Sequence, residues 1–169
     1  MEIHHISSDR LTIDRVEQII STGMQIALSD DARIRITRCR EYLDKKMEIQ
    51  SEPIYGITTG FGSLCNISID RTQLSELQRN LVMSHSCSIG ERVPSEIVRL
   101  MLLTKIQSLS YGNSGVQLAT VERLVDMFNN SILPVVYQQG SLGASGTLHR
   151  SQTSPCRSSA SEKWNSKGR

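Results

Sequence analysis

Apolar residues recur at helical spacing along most of the first 146 positions, separated by polar stretches rich in glycine, asparagine and serine. Leu11 to Leu28 reads as a weakly amphipathic helix interrupted at Gly23. Ser29 opens a second helix: its hydroxyl can cap free amides, and Asp30 and Asp31 suit the positive end of the helix dipole. That helix runs to about Ile49, with Ile34, Leu43 and Met47 inward, and stops before Pro53. Asp70 can cap a third helix on which Leu74, Leu77, Leu81 and His85 share one face. Pro94 suits a first helical turn and acidic Glu96 follows it. From Ile97 to Leu109, eight apolar residues (Ile97, Val98, Leu100, Met101, Leu102, Leu103, Ile106, Leu109) cover most of the circumference, the pattern of a helix buried inside something larger. Leu118, Val121, Val125 and Phe128 form a further stripe that ends at Asn129-Asn130. Only Ile132 to Tyr137 hints at a strand, and there is no internal repeat. The predicted fold class is mainly α.

The 169 residues suit one domain by length, and the net charge of +2 is unevenly spread. Residues 1–146 carry 14 basic against 16 acidic groups, a net of −2, while Thr147–Arg169 carries five basic groups and one acidic. The first segment offers no electrostatic case for nucleic acid or a membrane surface. Cys39, Cys65, Cys87 and Cys156 lack CxxC spacing, and the amino end lacks a leader-like apolar run. They read as free thiols of a cytoplasmic protein, with no metal site.

Three segments carry candidate chemistry: YGITTGFG at Tyr55–Gly62, Ser84-His85, and GSLGASG at Gly140–Gly146. Gly56, Gly60 and Gly62 permit close backbone approach, as a binding loop requires. The loop lacks the Gly-Lys-Ser/Thr ending of a phosphate loop. Taken singly the motifs are unspecific. A glycine-rich loop is more often a turn, a lone histidine on an apolar helical face is more often a core residue, and Ala-Ser-Gly is common.

Their order and spacing are more specific. With YGITTGFG, QRNLVMSHS, SLSYGNSGV and LPVVYQQGSLGASG in sequence, residues 9–148 resemble the aromatic amino acid ammonia-lyase and aminomutase family. The resemblance implies the amino-terminal part of the ammonia-lyase helical fold, with active-site segments borne on loops. It also implies a prosthetic group, 4-methylidene-imidazol-5-one, made from Ala144-Ser145-Gly146 without an external cofactor. Gly146 N would attack the Ala144 carbonyl carbon, and two dehydrations would follow, Ser145 supplying the exocyclic methylene. The composition suits that chemistry: glycine offers an unhindered amide, alanine keeps the ring small, and serine carries the hydroxyl that leaves.

By the same resemblance Tyr55 is the base that removes a β-proton, and its phenol needs cationic or hydrogen-bonding surroundings to act at neutral pH. Ser84-His85 falls at the position that selects the substrate, where a Ser-His pair favours L-histidine and gives trans-urocanate and ammonia. His85, Ser84 and Gly62 are the implied substrate contacts. Tyr111 and Asn113 are expected to pack and position. Some tyrosine aminomutases also carry Ser-His, so a tyrosine or phenylalanine lyase or a 2,3-aminomutase stays open.

The chain also departs from the family. Thr147 stands where an Asp usually follows Ala-Ser-Gly, and no counterpart of the family's long central helices is present. The family's active site is shared among subunits of a homotetramer. Thr147–Arg169 has six serines, almost no aliphatic residues and no periodic apolar face, so it is expected to be a disordered basic tail. Gly-Thr-Leu-His at Gly146–His149 is what a one-base deletion makes of codons for Gly-Asp-Leu-Ala. The neighbouring frame can continue as DLAPLANLALPLIGE, which resembles the family's sequence. The expectation is an incomplete amino-terminal lyase domain at 1–146, an out-of-frame tail at 147–169, and no activity for this polypeptide alone. A non-catalytic subunit that binds intact lyase is the competing reading. A nucleic-acid binder is disfavoured, because the tail has one aromatic residue, Trp164, and no organised face.

Overall fold

The computed structural model describes residues 2–49, 52–55, 57–59, 73, 76–77, 79–80, 83 and 88–140. Among them, four helices and four short strands run in the order β1 (Ile3–Ile6), α1 (Ile13–Ser21), β2 (Gln25–Leu28), α2 (Asp30–Ile49), β3 (Ile89–Arg92), α3 (Ser95–Ser110), α4 (Leu118–Asn129) and β4 (Tyr137–Gln139). Glu76, Leu77, Arg79, Asn80 and Met83 are also helical, within the span expected for a helix. Asp70, Leu74, Leu81 and His85 lie outside the described residues. The mainly helical class is borne out, and the chain divides into two compact units, Met1–Gln50 with Pro94–Leu133 and Ser51–Val93 with Pro134–Arg169.

In the first unit β1 and β2 pair in parallel, Ile3 opposite Gln25 and Ile6 opposite Leu28. Parallel neighbours need a crossover, and α1 supplies it. The helix expected over Leu11–Leu28 is therefore a helix and a strand. Thr12 Oγ1 caps its start, accepting the Arg15 N–H at 3.3 Å. Its end is a Schellman turn: Gly23 takes φ +64°, its N–H reaches Ile20 O at 3.4 Å, and Met24 N–H reaches Ile19 O at 3.1 Å. The glycine read as an interruption is a terminator, and the apolar residues beyond it enter the core from a strand.

The second helix starts as expected, with Ala32 N–H donating to Ser29 Oγ at 3.2 Å and two aspartates in the first turn. Its inward face is displaced from the predicted one. Ala32 and Ile36 are buried, Leu43 and Met47 half-buried, and Ile34 is 66% exposed. Ile34 lies about 200° around the helix from Ile36, so both cannot face the same neighbour.

The core of this unit is Ile6, Ile19, Ile26, Ile36, Leu103, Ile106, Val121 and Phe128, none more than 2% exposed. Each such side chain contributes roughly 1.5–3 kcal/mol relative to an exposed one. Helix α3 is less enclosed than its composition suggests, because Ile97 remains 46% exposed. Two polar residues on it are buried instead. Gln107 Nε2 donates to Ser7 O (2.9 Å) and Asp9 O (3.1 Å), while Ser110 Oγ lies 3.0 Å from Ser7 O. These bonds pair the two buried polar side chains and tie the β1–α1 loop to α3.

Helix α4 buries the expected stripe at Val121, Val125 and Phe128. From its last turn, Asn129 Oδ1 accepts the Ile26 N–H at 2.9 Å, and its Nδ2 donates to Ile26 O at 2.8 Å. The side-chain amide thus stands where a neighbouring strand's peptide group would. The helix ends in a second Schellman turn, with Ser131 at φ 54°, its N–H on Phe128 O and the Ile132 N–H on Met127 O.

In the second unit β3 and β4 are antiparallel, Ile89 opposite Gln139 and Arg92 opposite Tyr137, with a register shift between. All four residues of β3 are exposed. Beyond the ladder, Val93 N–H donates to Val136 O at 2.8 Å, and both valines are buried. The strand suspected at Ile132–Tyr137 begins only at Tyr137. Pro134 interrupts the earlier part, since it has no N–H to give a ladder.

Candidate active site

Tyr55 sits in a turn that Ile54, Ile57 and Thr58 close by hydrogen bonds. The Ile54 carbonyl accepts the N–H groups of Ile57 (3.1 Å) and Thr58 (3.0 Å). The Ile54 N–H in turn donates to Thr58 Oγ1 at 2.8 Å. Both backbone polar groups of Ile54 are therefore tied to the far side of the turn. Tyr55, the next residue, is 61% exposed, and Thr59 is fully buried. The glycine-rich segment thus begins as a hydrogen-bonded turn that presents a phenol and leads into a buried threonine. Sequence reading singled out its glycines and missed Thr58, although a Thr four residues after the chain enters a turn is a known local signal.

Gly62, Ser84, His85, Ala144, Ser145 and Gly146 lie outside the described residues. Strand β4 leads directly to Gly140, the first residue of GSLGASG. Among the described residues no group of three or more His, Cys, Asp or Glu could hold a metal ion.

The SYGNSG segment follows α3, with Tyr111 as its C-cap. Gly112 takes φ +71°, and a Cβ there would lie 2.7 Å from the Arg35 backbone on α2. Only glycine fits that crossing. Arg40, ion-paired with Asp44, donates from Nη1 to Gly115 O at 3.3 Å. The turn is thereby fastened to α2. A separate open groove of about 380 Å³ lies against β2 and α4, where Arg33 pairs with Glu122. None of the motif residues lines it.

Comparison with known proteins agrees with this arrangement of segments. A sequence profile of the aromatic amino acid lyase family matches residues 11–151. A histidine ammonia-lyase of Deinococcus radiodurans is 47% identical over 138 residues, 82% of this chain and 26% of that protein. One from Caldanaerobacter subterraneus subsp. tengcongensis is 41% identical over 143 residues, 85% of this chain and 28% of that protein. The chain thus spans about a quarter of the length of these curated relatives. Among solved structures, histidine ammonia-lyase from Trypanosoma cruzi superposes with a TM-score of 0.75 at 34% identity, covering 88% of this chain and 29% of that one. Tyrosine aminomutase from Streptomyces globisporus gives 0.78 at 28% identity, with 88% and 28% covered. Motif order, fold and sequence agree: the chain belongs to the aromatic amino acid lyase family.

Proposed function

We propose that this chain carries the amino-terminal active-site segments of a histidine ammonia-lyase, which eliminates ammonia from L-histidine to give trans-urocanate. The observation that carries the reading is Tyr55 held out on a closed turn at the head of YGITTGFG, in a chain whose curated relatives named histidine ammonia-lyase are 36–47% identical. In this reading Tyr55 Oη takes the β-proton, His85 and Ser84 contact the substrate side chain, and Gly62 lets the backbone approach it. Ala144, Ser145 and Gly146 have the chemistry to form the methylidene-imidazolone group, which would supply the electrophile that makes the amine a leaving group. The working assembly is a homotetramer in the cytoplasm. With about a quarter of the relatives' length, the 169-residue polypeptide alone gives no turnover and no absorbance band of the conjugated ring.

The test is a chimaera in which residues 11–146 replace the matching segment of the Deinococcus radiodurans relative. It should convert L-histidine to urocanate, and Tyr55→Phe should lower kcat at least ~100-fold, as loss of a general base does. A folded chimaera with no turnover, or one indifferent to Tyr55→Phe, would overturn the reading. The likeness to a tyrosine aminomutase supports a second reading, in which L-tyrosine is consumed in preference. Offering each amino acid in turn separates the two.

A further inference from the structure

We propose that Thr58 is the positioning residue for Tyr55; the proposal rests on the reading of Tyr55 as the base. A turn that presents a proton acceptor must hold its direction, since a misplacement of about 1 Å costs up to ~100-fold in rate. Tyr55 is 61% exposed, and the residue just before it is held at both of its backbone polar groups. The Ile54 N–H ends on Thr58 Oγ1 at 2.8 Å, and Ile54 O receives the Thr58 N–H at 3.0 Å. One residue thus clasps the amide and the carbonyl of the residue preceding the tyrosine. Thr59, the residue after the clasp, is fully buried. The hydroxyl is the removable part: valine keeps the branched shape and loses the acceptor, while serine keeps the acceptor.

The experiment uses the whole 169-residue chain, with amide exchange and the NMR signals of a ring-labelled Tyr55. Thr58→Val should speed exchange at the Ile54 amide roughly tenfold or more, the loss of one backbone-to-hydroxyl bond. It should also alter the Tyr55 ring signals, and Thr58→Ser should restore both. Amides of α3 and α4 should keep wild-type protection. Unchanged Ile54 exchange or unchanged ring signals in Thr58→Val would overturn the proposal, as would loosening of the whole chain to the same degree. Failure of the base reading shows elsewhere: turnover in the chimaera indifferent to Tyr55→Phe removes the base and leaves the clasp measured in this chain intact.

Discussion

The two small sheets show how differently a pair of short strands can be held. The β1–β2 pair is parallel, and Ile6, Ile26 and Leu28 point into a core that α3 and α4 cover. Its outer margin is closed by Asn129, and the loop leaving it is bonded by Gln107. The β3–β4 pair is antiparallel and irregular in register, and every residue of β3 is exposed. What secures it is the valine pair just outside the ladder, Val93 and Val136. Strand pairing alone explains neither. A two-stranded ladder is marginal in water, so stability comes from whatever buries one of its faces.

That contrast can be broken most severely at Phe128. Phe128→Ala should destabilise the first unit by about 3–5 kcal/mol, whereas Ile89→Ala on exposed β3 should cost under ~0.5 kcal/mol, both read by urea denaturation. Similar costs would mean that β3 is covered in solution. Next in size is Asn129→Ala, which leaves the Ile26 N–H and C=O without partners. A loss of about 2–3 kcal/mol is expected, with faster amide exchange at Ile26 and unchanged exchange at Val93.

A smaller effect concerns the first sheet and pH. Burial holds the His4 pKa below 6.5, helped by the charge of Arg15 and by His5, and opposed by Glu2. Arg15 Nε donates to His4 Nδ1 at 3.1 Å, a bond that only the unprotonated nitrogen accepts. The contribution is therefore fully present above pH 6.5 and is lost as pH falls through the lowered folded value. Stability measured from pH 7.5 down to 5 should decline more steeply in the native chain than in His4→Gln. Parallel curves would show that His4 does not gate this bond. The smallest change expected is at Ser131, which occupies the left-handed position that ends α4. Ser131→Gly relieves the φ 54° strain but deletes the hydroxyl that accepts Arg99 Nη1 at 3.1 Å. The two should nearly cancel, leaving a shift within ~0.5 kcal/mol.

The helices were readable because their determinants are local. Ser29, Asp30 and Asp31 announce α2, and the Leu118–Phe128 stripe announces α4. The strands were not, because four residues such as Ile3–Ile6 carry no periodic signal, and their pairing depends on residues some 20 positions away in β2. Gln107 and Asn129 escaped notice for the same reason: their partners lie about 100 residues distant in sequence. Of the candidate site, the family motifs named Tyr55 and the turn that displays it, whereas the closure of that turn by Thr58 is a matter of geometry. Gly62, Ser84, His85 and Ala144–Gly146 lie outside the described residues, and their roles stand as proposals.

The amide of Asn129 has one further consequence. A bare strand margin is a template on which another chain can polymerise, and proteins blunt such margins with charges, bulges or covers. Here a single side chain acts as a plug: it copies the two-point contact of an incoming peptide at Ile26 and belongs to a helix, which cannot propagate a ladder. An added strand on that side would first have to displace Asn129 from the N–H and C=O of Ile26, so the docking of α4 and the protection of that margin are one and the same.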